Sequence, residues 1–326
     1  GSRGSRLALL QARWVMDRLK AAWPGMELEI VTIATTGDRN PRISLERLGG
    51  VGVFVKEREE ALIGGRIDLA VHSLKDMLTT VPEGLQLAAV PERADPRDAL
   101  VSRYGSLAAL PKGAVVGTGS QRRAVQALAI RPDLVVRGLR GNIDTRLRKL
   151  AAGQYDGIVM AAAALIRSGW QDKITEYLPP ETFIPAVGQG ALGIEIRSDD
   201  RRIVEIVVPL NNRPTWDAVT AERAFLRTMG GGCRAPIAAL GTVENGTLRL
   251  CGMVSSPEGR RILRAVVSGD AFPPEELGLA LARKMIDMGA AALLAETGIR
   301  DREHISGDRS PMEGPFCRDE SKGKGS

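Results

Sequence analysis

Cys233 is flanked by Gly230, Gly231, Gly232, Arg234, Ala235 and Pro236, directly after a stretch of helical spacing at residues 215–229. Three glycines remove side-chain bulk and open backbone conformations closed to other residues, so a reactant can come close to the sulfur. A neighbouring guanidinium favours thiolate over thiol. That combination suits covalent attachment through sulfur. A glycine-rich turn holding a small buried cysteine has the same pattern, and the local sequence leaves both open.

Other residues could do chemistry with anions. Lys75 and Asp76 follow an apolar run that ends in His72 and Ser73. In open α/β sheets ligands bind at the carboxyl ends of strands, so this pair could supply a cation for a carboxylate and a carboxylate for proton work. Thr118, Gly119 and Ser120 precede Gln121, Arg122 and Arg123 at the start of an expected helix. Small hydroxyl residues and helix-start N–H groups form an anion cradle. Cations in a first helical turn oppose the helix dipole, a local cost that makes sense if an anion lies between them. Arg140 and Arg146 flank another helix start, and Arg167 follows the next strand. Arg3 and Ser5 open the first helix, where Ser5 also reads as an ordinary cap. Several arginines at strand ends describe a site for several carboxylates or phosphates, since arginine binds such groups in bidentate fashion.

These residues need a scaffold that brings distant segments together. The apolar positions 7, 10, 15, 19 and 22 trace one helical face. Residues 28–34 are expected as a strand, 54–63 as a helix and 67–72 as a buried strand. Strands at 114–117, 134–136 and 157–160 alternate with helices at 121–130 and 143–152, and the apolar run 157–166 reads as a strand entering a helix. Residues 183–197 are expected as strand, glycine-rich loop and strand. Strands alternating with helices imply two α/β lobes with helices on both faces of their sheets. The remainder differs: a helix at 216–229, strands at 236–243, 247–255 and 261–268, a hairpin turn at Asn245-Gly246 and a helix at 274–289. This is a small α+β domain. No strand precedes the first helix, where an α/β lobe would begin with one, so a trimmed or cloned start is expected.

Composition narrows the classes. A chain of 326 residues has room for two or three domains. Aromatic content of 4% disfavours stacking on nucleic-acid bases. The net charge of +6 suits anionic partners, but it is mixed with 39 acidic residues. The apolar runs are short of a membrane span, so no membrane association is expected. Three cysteines without pairing spacing point to a reducing cytoplasm, and two histidines give no metal site. The polar segment after Ser306, with Cys317, is expected to be disordered.

Taken in order, RGSRLALLQ (3–11), GGVGVFVKE (49–57), DLAVHSLKD (68–76), GTGSQRR (117–123), LRGNIDTRL (139–147), PAVGQGALGIEIR (185–197) and GGGCRAPI (230–237) closely resemble the porphobilinogen deaminase family over residues 1–300. The resemblance implies two periplasmic-binding-protein-like lobes with the active cleft between them. They are expected at 1–90 with 186–208 and at 91–185, with a third domain at 209–305. It further implies a dipyrromethane cofactor held by a thioether on Cys233. Four porphobilinogen molecules condense onto that primer with loss of ammonia, and water releases hydroxymethylbilane. Asp76 is then the catalytic carboxylate, stabilising a cationic azafulvene. Arg3, Ser5, Lys75, Thr118, Ser120, Arg122, Arg123, Arg140 and Arg146 match cofactor positions. Arg3, Phe54, Arg140, Arg146 and Arg167 match substrate positions, and Arg47 lies in a mobile loop. Leu78, Gly119, Gln121 and Ala164 depart from the family pattern without removing a charged group. A monomer is expected, with no nucleic-acid partner. The competing class is a two-lobed, non-catalytic binder of an anionic solute.

Overall fold

Among the residues that the computed structural model describes, 1–35, 55–230 and 236–295, the strands form three sheets. Phe54, Arg47, Cys233 and the segment after Ser306 lie outside the described residues.

The first lobe begins with α1 (Arg6–Ala22). Ser5 caps it, its Oγ accepting from the Ala8 N–H at 3.4 Å. Gln11, Val15 and Leu19 recur every fourth residue and are buried. Val15 and Leu19 pack on Val71, Leu192, Ile194 and Ile196. Those partners come from β1 (Leu69–Ser73) and β8 (Leu192–Arg197), which with β2 (Leu85–Ala89) form an antiparallel sheet of order β1-β8-β2. A short helix, α2 (Lys56–Ile63), covers its other side through Ala61 and Leu62.

Residues 28–34 are not a full strand. They pair only through an isolated parallel bridge between Thr32 and Ser2. The Ser2 N–H donates to the Val31 carbonyl at 3.0 Å, and the Ile33 N–H to the Ser2 carbonyl at 2.8 Å. Gly1 and Ser2 lie between this segment and β1, whose Val71 N–H and Leu69 carbonyl both bond to Gly1.

The second lobe is a five-stranded mixed sheet of order β5-β4-β6-β3-β7. It comprises β3 (Asp98–Ser102), β4 (Val115–Gly117), β5 (Val135–Arg137), β6 (Gly157–Ala161) and β7 (Glu176–Leu178). Pairs β4–β5 and β4–β6 are parallel, whereas β3 runs antiparallel to β6 and β7. Helices α3 (Gln121–Ile130), α4 (Ile143–Ala151) and α5 (Ala162–Arg167) connect the strands, the last continuing from β6 as the apolar run implied.

Residues 183–187 also differ from expectation: only the second half of the expected strand-loop-strand is a strand. Pro185 has no N–H for a ladder. The Phe183 N–H turns back to the Pro179 carbonyl and the Ile184 N–H goes to the Gln126 side chain, so residues 183–185 offer no backbone donor to a neighbouring strand.

After α6 (Arg201–Val207), α7 (Arg213–Thr228) leads into an antiparallel sheet of β9 (Ile237–Glu244), β10 (Thr247–Ser255) and β11 (Ile262–Asp270). Asn245 at φ +50° and Gly246 at φ +76° supply the two left-handed residues that a type I′ hairpin needs. One face of this sheet packs on α7 and on α8 (Pro274–Asp287), which runs on to α9 (Ala290–Ala295). The other meets Val125 of α3 through Ala238, Leu240 and Met253.

Helices α7 and α8 approach closely at Gly278, where a Cβ would stand 2.7 Å from the Ala224 Cβ and 2.9 Å from the Phe225 nitrogen. Both elements are rigid helices, so the contact cannot yield cheaply. Gly278→Val is expected to destabilise the protein by about 2 kcal/mol or more, read as a lower urea midpoint with an unchanged denaturant slope.

Candidate active site

The cleft is assembled from strand ends. At the carboxyl end of β1 the chain makes a single 3₁₀ turn, Leu74–Asp76, anchored by the Leu74 N–H on the Ala191 carbonyl at 3.0 Å. This sets Lys75 and Asp76 on the cleft wall. From the other lobe, β4 ends in Gly117 and the chain passes through Thr118, Gly119 and Ser120 into α3. Thr118 is buried and clamped to the next connection: its N–H donates to Arg137 and its carbonyl accepts from Leu139. Glycine is required at 119, where a Cβ would lie 2.8 Å from the Leu139 carbonyl oxygen. The Thr118 Oγ1 accepts from the Ser120 N–H at 3.1 Å, while the Ser120 hydroxyl makes no capping bond to the helix it starts.

A cavity of about 170 Å³ opens between these walls. Of the expected site residues, Lys75, Asp76, Ser120, Arg122 and Arg123 line it, joined by Gln189 and by Leu226 and Ile237 from the third unit. Thr118 is buried. Arg146 is half-buried, its Nε donating to the Gly141 carbonyl at 2.7 Å, and Arg167 donates to the Gly190 carbonyl at 2.9 Å. Arg140 is exposed and Arg3 half-buried, and Ser5 is engaged in capping α1. None of these last six lines the cavity itself.

The anion between the paired arginines belongs to the protein. Asp98, fully buried at the start of β3, accepts from Arg122 at 2.7 and 3.3 Å and from the Arg123 Nε at 2.8 Å. Arg122 is further held by the Ile184 carbonyl at 2.8 Å. Burial alone would raise the Asp98 carboxyl; the two guanidiniums outweigh it and hold it down at about 2. Around this pair the cations are under electrostatic pressure. Burial first, then Arg123, lowers Lys75 to about 8. Burial and Arg123 lower Arg146 to about 10, and burial lowers Arg167 to about 10. A bound polycarboxylate would relieve this crowding.

Sequence reasoning missed Asp98, Gln189 and Glu222. Glu222, fully buried on α7, accepts from the Gly188 N–H at 2.7 Å, the Gly241 N–H at 2.8 Å and Arg93, joining the interlobe crossover to the third unit. For Asp98 the one available signal was an acid at the head of the apolar run 99–101. Among the described residues no three His, Cys, Asp or Glu side chains could hold a metal ion, and no helix is long and apolar enough to cross a membrane.

Fold and cleft together define a two-lobed α/β protein whose cleft is lined by Lys75, Arg122 and Arg123, with a third α+β unit at the cleft wall. Comparison with known proteins is specific. Family profiles described as "Porphobilinogen deaminase, dipyromethane cofactor binding domain" and "Porphobilinogen deaminase, C-terminal domain" match residues 1–205 and 216–287. Porphobilinogen deaminase of Thermus thermophilus is 51% identical over 91% of this chain and 97% of its own. That of Syntrophobacter fumaroxidans is 47% identical over 91% and 96%, and that of Moorella thermoacetica 51% over 91% and 95%. The chain belongs to the porphobilinogen deaminase family. Among solved structures it aligns with the substrate binding protein of an amino acid ABC transporter at 14% identity and a TM-score of 0.32, covering 61% of this chain and 78% of that one. Family membership leaves the non-catalytic solute binder without support.

Removing the Asp98 charge strands two buried guanidiniums. Asp98→Asn is expected to cost about 3–5 kcal/mol in chemical denaturation. Because the folded carboxyl titrates at about 2 against an ordinary 3.8, its contribution is complete above about pH 4 and lost as pH falls through 2. Acid titration of stability over that window should therefore be steep in the parent and flatter in the variant.

Proposed function

We propose that this protein is a transferase of tetrapyrrole biosynthesis. It joins four porphobilinogen units head to tail on a dipyrromethane primer and releases hydroxymethylbilane by hydrolysis. The observation that carries the reading is the cavity in which Lys75, Arg122 and Arg123 face a common space with Asp76. Each pyrrole ring of such a chain carries carboxylates, so the reaction needs several cations and one unpaired carboxylate near the reacting carbon.

The residues fit a dipyrromethane. Its carboxylates would meet Lys75, Arg123 and the Ser120 hydroxyl at the α3 N-terminus, where backbone N–H groups add partial positive charge. When bound, the group supplies the nucleophilic pyrrole carbon to which the first substrate unit is joined. Cys233 is proposed as its thioether anchor. The support is connectivity: Leu226 and Ile237, on either side of it in sequence, both line the cavity. Arg146 and Arg167, half-buried on the second lobe, are proposed to bind substrate carboxylates, with Arg3, Arg140 and Phe54 completing the site.

Asp76 then acts on the substrate. Its carboxylate lies where cationic charge develops as ammonia departs from the aminomethyl carbon, and it lowers the cost of that charge. It also accepts hydrogen bonds from pyrrole N–H groups, which orients the ring. The reading includes a cytoplasmic location, which the buried, unbridged Cys251 favours, and a monomeric state.

Asp76→Asn preserves shape and removes the charge. Single-turnover condensation of porphobilinogen on protein already carrying its primer should slow by at least roughly 10²-fold, with a modest change in substrate affinity. A near-parental rate would take Asp76 out of the chemistry.

A further inference from the structure

Gln189 sits in the crossover between the lobes, fully buried, between two glycines that both adopt left-handed backbone, Gly188 at φ +69° and Gly190 at φ +87°. Each of its hydrogen-bonding groups is committed. The main-chain N–H donates to the Ala186 carbonyl at 2.9 Å, and the main-chain carbonyl accepts from the Arg93 Nε at 2.8 Å. The side-chain nitrogen donates to the Pro96 carbonyl at 2.8 Å and to Asp98 Oδ1 at 3.0 Å. The side-chain oxygen accepts from Lys75 Nζ at 3.4 Å and from an Arg123 terminal nitrogen at 3.2 Å.

This pattern fixes both the orientation and the identity of the side chain. Two acceptors lie on one side and two cations on the other, so the amide fits only with nitrogen toward Asp98 and oxygen toward Lys75. A glutamate would set an oxygen against Asp98, and a lysine would add a third cation. Lys75 comes from the first lobe and Arg123 from the second, and a single neutral oxygen is shared by both. We propose that Gln189 is the positioning residue of the cleft. Its amide oxygen sets Lys75 and Arg123 side by side against one anionic group of the ligand, and its amide nitrogen ties them to Asp98. The identity of that group as a pyrrole carboxylate rests on the function proposed above; the pairing itself does not.

The arrangement has a readable consequence. Arg123, Asp76, Asp98 and Arg122 are the charged groups facing Lys75, and Gln189 is the neutral acceptor among them. Gln189→Met keeps length and removes the acceptor. Lys75 then stands beside the same guanidiniums with less support for its charge, and its titration midpoint should fall by about half a unit or more. Gln189→Glu adds negative charge there, and the midpoint should rise.

Competitive labelling with acetic anhydride across pH, read on the Lys75 peptide by mass spectrometry, measures this on the full chain without any turnover. In parallel, steady-state kinetics with porphobilinogen should show KM raised by roughly 10-fold or more in Gln189→Met, with kcat changed less. A general loss of folded protein would lower active enzyme without that split. A Lys75 midpoint and a KM both equal to the parent's in Gln189→Met would overturn the proposal. If Gln189→Met does not fold, Gln189→Glu decides, and an unchanged or lowered midpoint there overturns it. A parent that makes no product from porphobilinogen would sink the proposed function, while the Lys75 titration would still decide the role of Gln189.

Discussion

Two arginines and a lysine cannot share a partly dry cleft wall unless something carries their charge, because burial penalises each cation and the cations repel one another. Asp98 is the answer built into this chain. It binds Arg122 and Arg123 at once from the first position of β3, with its carboxyl held at about 2. Arg122 is largely consumed by this contact and by the Ile184 carbonyl. Arg123 keeps an edge toward the cavity and, through Gln189, toward Lys75. These contacts hold the charged side chains in place, which lowers the cost of ordering them on binding.

The same crossover that carries Gln189 is fixed from its other side by Glu222. That carboxylate gathers two backbone N–H groups, at Gly188 and Gly241, and the Arg93 guanidinium. It sits on α7, a helix buried on most of its surface, whose last turns lead toward the segment that holds Cys233. Lobes, crossover and third unit are therefore coupled through two buried carboxylates.

Much of the scaffold was legible in the sequence, and the reasons are local. Asn245-Gly246 marked its hairpin because two left-handed residues in succession suit little else. Helix α3 has the expected bounds because Ser120 breaks the backbone pattern and Val125, Gln126 and Ala127 bury the following face. What stayed hidden depends on distant segments. Strand β3 is buried on both faces, so it lacks the alternation that marks a strand, and its Asp98 looked like a surface acid. The arginines in the first turn of α3 pair with an anion of the same chain, Asp98, 24 and 25 residues upstream. Gln189 was one residue of a glycine-rich loop until the fold brought Lys75, Pro96, Asp98 and Arg123 around it.

The proposed occupant of this cleft is a pyrrole chain held by its carboxylates and anchored at Cys233. Intact-protein mass spectrometry under denaturing conditions, followed by peptide mapping, addresses it directly. The protein should carry a covalent adduct of two pyrrole units on the peptide containing Cys233. Limiting porphobilinogen should add a ladder of further single units, up to four. An unmodified mass before and after substrate, or an adduct on another residue, would contradict that anchorage.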